Sequence, residues 1–136
     1  MSEPCVVTAA IMERDGRFLI ARRAPQQKHA GGWEFPGGKL EDNETPEECL
    51  AREIREELAI EADIGELFAR TLYEYASGAV LLLAYRVTSY SGEFRLLVHD
   101  ELCFALPNEI LTFDLLPADR PIAELLAGNR ERNKLD

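Results

Sequence analysis

Three glutamates, Glu53, Glu56 and Glu57, lie at i,i+3 and i,i+4 spacing in the segment Arg52-Glu53-Ile54-Arg55-Glu56-Glu57-Leu58. In a helix that spacing turns all three carboxylates toward one face. Two chemistries suit such a face. One is a solvated acidic surface with ion pairs, which tolerates a like-charge cost of ~0.2–0.5 kcal/mol per pair. The other is an oxygen donor set for a hard dication, where Mg²⁺ takes one or two carboxylates and fills its shell with water and phosphate oxygens. The spacing alone leaves both open. Upstream, Phe35-Pro36-Gly37-Gly38-Lys39 supplies two glycines, which let backbone come close to whatever the helix face holds. A glycine pair alone is a weak signal; tied to a carboxylate helix at fixed spacing it becomes a specific one.

The helix itself is predicted over Thr45 to Leu58. Thr45 is the N-cap, Pro46 the first helical residue, and Glu48 completes a capping box. Leu50, Ala51, Ile54 and Leu58 form an apolar stripe for packing on a sheet, while Glu48, Arg52 and Arg55 fall on a separate, solvated side. Strands are predicted at Cys5 to Met12 and Arg17 to Arg22, joined by the turn Glu13-Arg14-Asp15-Gly16. A polar loop from Ala24 to Gly32 leads to a short strand, Trp33-Glu34-Phe35, stopped by Pro36-Gly37-Gly38. Ile64 to Tyr75 and Ala79 to Tyr90 read as two strands joined around Ser77-Gly78, and Glu101 to Leu106 as another that ends at Pro107. Pro121 to Ala127 reads as a closing helix and residues 129–136 as a polar tail. Strands on both sides of a central helix, with a second helix at the end, predict an α/β layered domain around a mixed sheet.

The chain has 136 residues, enough for one domain spanning 1–136 with a core that needs no staples. It carries 25 acidic and 15 basic residues, a net charge of −10. Half of that excess lies between residues 38 and 60, where eight acids face three bases. So acidic a chain is not expected to bind a nucleic-acid polymer, whose recognition rests on basic patches. A small phosphorylated ligand remains compatible, because a bound dication reverses the local sign. The first apolar run is too short to span a membrane and follows Glu3 rather than a basic segment. Three cysteines, Cys5, Cys49 and Cys103, lack metal-type spacing and read as reduced thiols, so a cytoplasmic location is expected. Cys49, four residues before Glu53, reads as a small packing residue.

Gly38, Glu44 and the run from Arg52 to Ile60 together resemble the 23-residue Nudix box, 38–60, departing from it only at Ala59, where the family has glycine. The flanking Arg22-Arg23-Ala24 and Trp33 to Lys39 are similar to the MutT-type branch, which includes oxidised-nucleotide and CTP pyrophosphohydrolases. Leu116-Pro117-Ala118-Asp119 continues the likeness. The resemblance implies an α/β/α sandwich and hydrolysis of a nucleoside diphosphate linked to a further group, with Mg²⁺ or Mn²⁺ as cofactor. It implies Glu53, Glu56, Glu57 and the Gly37 carbonyl as metal ligands, with Glu53 also helping to deprotonate the attacking water. Glu44 would support the metal shell through water, and Arg52 would orient the carboxylates. Arg23, Lys39, Phe35 and Asp119 are the implied substrate contacts, Asp119 at the position that reads the base.

Water would then convert a nucleoside triphosphate to monophosphate and pyrophosphate, with 8-oxo-dGTP-like or CTP-type substrates in a role of nucleotide-pool sanitation. ADP-ribose or dinucleoside polyphosphate hydrolysis, or a retired nucleotide-binding domain, are the alternatives, and monomer and homodimer stay open. Trp33 and Phe35 are candidates both for stacking on a base and for the core, and Tyr73 and Tyr75 are expected to share a face. Val98 stands where MutT-type enzymes carry a further glutamate; His99, Asp100 and Glu101 are the neighbours that could replace it, or are plain loop residues.

Overall fold

A computed structural model describes residues 3–135, with side chains described through residue 128. Strand β1 (Cys5–Ile11) runs through the middle of a mixed sheet. It pairs antiparallel with β5 (Gly37–Lys39) on one side and parallel with β7 (Gly78–Ser91) on the other, and β6 (Glu61–Tyr75) closes the edge against β7. A second sheet is built on β3 (Arg17–Arg22), which pairs with β2 (Glu13–Arg14), β4 (Trp33–Glu34) and β8 (Glu101–Ala105).

Alternation along these strands divides the core. Ala9 and Ile11 of β1, Phe18 and Ile20 of β3, and Leu82 and Ala84 of β7 pack with Ile110, Ile122, Ala123 and Leu126. Those last four belong to helices α2 (Pro107–Ile110) and α3 (Arg120–Leu135). Ala10, Leu19 and Tyr85 point the other way, onto Leu50, Ile54 and Leu58 of helix α1 (Pro46–Leu58). The sheet layer therefore lies between α1 and the α2–α3 pair, an α/β/α sandwich. Leu50, Ile54 and Leu58 are fully buried, and each such burial contributes ~1.5–3 kcal/mol.

The capping box forms as the sequence predicts: Glu48 N–H donates to the Thr45 hydroxyl at 3.1 Å, and Thr45 N–H donates to Glu48 at 2.8 Å. Four local expectations change. Glu13 and Arg14 extend the hairpin as β2, leaving the tight turn to Asp15 and Gly16, both at positive φ. Gly37 to Lys39 does not end a strand but forms one, because glycine lets its backbone lie directly against Thr8; a Cβ on Gly37 would meet the Thr8 carbonyl. The single turn α2 begins at Pro107, which fits a first helical position. The closing helix runs on through the stretch expected as a tail, to Leu135; Asp136 lies outside the described residues. Among the described residues no helix is long and apolar enough to cross a membrane.

Candidate active site

Helix α1 carries the densest group of charges, organised by Arg52 rather than by solvent. The apolar stripe fixes the helix on the sheet, and the Arg52 guanidinium then reaches across its carboxylate side. Its Nε and Nη2 donate to the two Glu44 oxygens at 3.1 and 2.8 Å. Nη1 donates to Glu53 at 2.9 Å and to Glu56 at 3.3 Å, and Nη2 also reaches the Lys39 carbonyl at 3.2 Å. Arg52 is thus only 21% exposed, against the solvated position expected from the helical wheel. The paired guanidinium holds the Glu44 carboxyl down at about 2.

Glu53 and Glu57 turn inward. Glu57 is buried, and Gly37 N–H donates to its Oε1 at 3.2 Å. Burial, with repulsion from Glu34 and Glu53, pushes its carboxyl up to about 9. Glu53 is raised as well, mainly by burial, with Arg52 opposing. Its carboxyl lies where a Cβ on Gly38 would be, which is why that loop position needs glycine. Glu56 behaves differently: it is 56% exposed and stays with Arg52. Among the described residues no three His, Cys, Asp or Glu side chains are already gathered as a metal site.

Glu53, Glu57 and Gly37 open into a cavity of about 600 Å³ whose wall also contains Arg23, Lys39, Phe35 and Asp119. The four expected substrate contacts are thereby brought together with two of the three helix glutamates. Trp33 and Phe35 both belong to the core, Trp33 edge-on to Phe113 with ring centroids 4.9 Å apart, and Phe35, 2% exposed, also borders the cavity. Tyr73 and Tyr75 are neighbours, centroids 4.6 Å apart, but only Tyr75 lines the cavity; its hydroxyl accepts from Ala118 N–H. Asp119 is buried and accepts from Phe35 N–H at 3.0 Å. Desolvation, helped by the charge of Glu34, raises its carboxyl well above the ordinary range, favouring the neutral acid that can donate as well as accept.

Sequence reasoning passed over Glu34. It lines the cavity and binds Arg23, whose Nη1 lies 3.0 Å from Oε1, while His99 Nε2 lies 2.8 Å from Oε2. A charged residue between two buried aromatics in a strand was the available signal. Of the candidates to replace the acid absent at Val98, Asp100 and Glu101 both pair with Arg22, at 2.7 and 3.3 Å. Neither lines the cavity. Cys49 is buried beneath the glycine loop, its thiol against the Lys39 carbonyl at 3.3 Å, and all three cysteines are free. Ala59 ends α1 in the left-handed region, φ 60 and ψ 30, the conformation its glycine counterpart would take.

The NUDIX domain model matches residues 2–128 of this chain. The CTP pyrophosphohydrolase of Escherichia coli K12 is 41% identical over 130 residues, covering 96% of each chain. A putative 8-oxo-dGTP diphosphatase 2 of Mycobacterium tuberculosis is 38% identical over 116 residues, 85% of this chain and 82% of its own. Among solved structures, that of the E. coli ORF135 protein superposes with a TM-score of 0.87 at 40% identity, over 98% of this chain and 96% of the other. A MutT NUDIX hydrolase from Burkholderia pseudomallei gives 0.81 at 30% identity, over 90% and 98%.

Proposed function

The chain belongs to the NUDIX domain family, and from that premise we propose that it is a metal-dependent nucleoside triphosphate pyrophosphohydrolase. Water attacks the triphosphate, and the products are the nucleoside monophosphate and pyrophosphate. The observation that carries this reading is one shared cavity: Glu53, Glu57 and the Gly37 backbone border the same space as Arg23, Phe35 and Asp119.

The residues fit a dication. Two partly or wholly buried carboxylates repel each other, and Glu57 has a backbone N–H but, among the described residues, no ion-pair partner. Glu53, Glu57, the Gly37 carbonyl and, once turned from Arg52, Glu56 would hold Mg²⁺ or Mn²⁺, an all-oxygen set of the kind hard cations take. Such an ion neutralises phosphate charge and lowers the pKa of bound water. The remaining work falls to the chain. Arg52 fixes Glu53 and Glu56 through one rigid fork. Glu53, with its carboxyl raised by burial, accepts the proton of the attacking water. Arg23 and Lys39 supply positive charge for the phosphates, and Phe35 supplies an apolar wall for the base.

At the base, burial favours an Asp119 that donates to a ring nitrogen or carbonyl, while the Glu34 carboxylate accepts from an amino group. Cytosine offers both partners side by side. The names borne by the relatives, CTP pyrophosphohydrolase and 8-oxo-dGTP diphosphatase, support CTP-type or oxidised purine triphosphates as the substrate class.

The test is a panel of NTPs, dNTPs, 8-oxo-dGTP, 5-substituted dCTPs and ADP-ribose with Mg²⁺, read as pyrophosphate release beside Glu53→Gln. Selective release, lost in the variant, is expected. ADP-ribose cleaved to two monophosphates without pyrophosphate from any triphosphate would overturn the triphosphate reading. Silence across the panel would favour a retired nucleotide-binding domain.

A further inference from the structure

His99 is 3% exposed, with its ring wholly buried, in the loop before β8. Its Nε2 is 2.8 Å from Glu34 Oε2. Its Nδ1 is buried with no hydrogen-bond partner among the described residues. A ring retained only to fill space would not need that arrangement, since a phenyl group fills a similar volume without leaving a polar atom unpaired. The unpaired nitrogen directs attention to what the other nitrogen does.

Glu34 lies in a crowded electrostatic setting. Arg23 Nη1 donates to both of its oxygens, at 3.0 and 3.1 Å, and Arg23 Nε is itself occupied by the Lys28 carbonyl at 2.6 Å. Glu57 from α1 and Asp119 before α3 both feel the Glu34 charge, which raises their carboxyls. Arg23 is the cation hydrogen-bonded to Glu34, so the second donor that fixes the rotamer comes from His99. We propose that His99 is a positioning residue that holds Glu34 as an acceptor facing the nucleotide cavity, and through it sets base selectivity. This rests on the reading of the cavity as a nucleotide site. An ionised carboxylate only accepts, so hydrogen on Nε2 donates to Oε2 and leaves Nδ1 bare. A bare buried acceptor is the lesser penalty; hydrogen on Nδ1 would leave a donor orphaned and turn two lone pairs toward each other at 2.8 Å. His99 and Arg23 take both lone-pair directions of Glu34 Oε2 and one of Oε1, so the remaining one on Oε1 is left for an amino group of the base.

Two variants separate the donor from the ring. His99→Phe keeps volume and removes the donor; in His99→Gln the amide nitrogen stands near the place of Nε2. For the triphosphate that the native protein hydrolyses fastest, His99→Phe is expected to raise KM about tenfold while kcat changes less than about threefold, the loss of one hydrogen-bonded contact to the base. The preference for amino-bearing over amino-lacking bases should shrink with it. His99→Gln is expected to restore most of the loss. In a Glu34→Gln background, His99→Phe should cost nothing further, because both changes act on one contact.

A loss in kcat alone, an equal loss in the Glu34→Gln background, or no rescue by glutamine would overturn the proposal. Imidazole ¹⁵N NMR on the ligand-free native protein provides the readout that does not depend on turnover or on the variants folding. Hydrogen on Nε2, with the Glu34 carboxyl ¹³C signal moving in whichever His99 variant is folded, supports the proposal. Hydrogen on Nδ1 with none on Nε2 overturns it. If the native protein hydrolyses no triphosphate, the functional reading fails, and the NMR result still decides the His99–Glu34 tie.

Discussion

Replacing Glu57 with glutamine tests the electrostatics of the site through stability rather than turnover. In the folded, metal-free protein the Glu57 carboxyl keeps its proton up to about pH 9, against an ordinary value of 4.5. Between those values the unfolded chain has released a proton that the folded protein still holds. Stability therefore falls as pH rises, by ~1.4 kcal/mol per pH unit for one proton. At pH 7.5, three units above the unfolded value, the ceiling is ~4 kcal/mol, and relaxation around Glu34 and Glu53 reduces it to roughly half. Glutamine keeps an Oε1 to accept from Gly37 N–H, so the variant loses the charge and little else. Urea unfolding in EDTA is expected to find Glu57→Gln about 2–4 kcal/mol more stable than native at pH 7.5, with the gap closing toward pH 4.5. Mg²⁺ should close most of the gap, since an ion that binds the folded state at a hundred times its Kd adds ~2.7 kcal/mol to the native protein and much less to the variant. Equal stability of the two at pH 7.5 in EDTA, or a gap that does not change with pH, would refute the reasoning, because burial would then not be holding the proton on Glu57.

Gly38→Ala places a methyl group on the Glu53 carboxyl, and, if Glu53 acts as proposed, activity should fall on the order of 10²-fold with circular dichroism unchanged, as expected for a displacement of about 1 Å. Arg52→Gln should release Glu44, whose carboxyl ¹³C titration is expected near 2 in the native protein and back toward 4.5 in the variant. Because the Glu44 value is lowered in the folded protein, the stabilisation from this pair is present above pH 4.5 and lost as pH falls toward 2, so the two proteins should converge in acid. Ala59→Gly should stabilise, since alanine at φ 60 and ψ 30 costs ~1–2 kcal/mol and the added freedom of unfolded glycine returns only part of it. A rise of about 2–4 °C in Tm checks it, and a fall would show that the Ala59 methyl packs usefully.

What the sequence determined by itself is everything that local spacing controls. The α1 boundaries, its capping box and its buried stripe follow from Thr45, Pro46, Glu48, Leu50, Ile54 and Leu58, because a helix repeats every 3.6 residues wherever it is placed. The main strands are legible for the same reason, and the residue signature from Gly38 to Ile60 pointed to the family that the comparisons then showed. Spacing fixes a direction around a helix axis, but not what lies in that direction. Glu53, Glu56 and Glu57 are equivalent in the sequence; only the approach of the Gly37–Lys39 strand buries two of them and leaves Glu56 outside with Arg52. Tertiary packing likewise put Trp33 and Phe35 in the core with Phe35 also bordering the cavity, sent Asp100 and Glu101 to Arg22, and joined Glu34 to a histidine 65 positions away. Burial, and with it the charge state of a carboxyl, depends on elements distant along the chain, so the acidic face became a site only when the sheet closed over it.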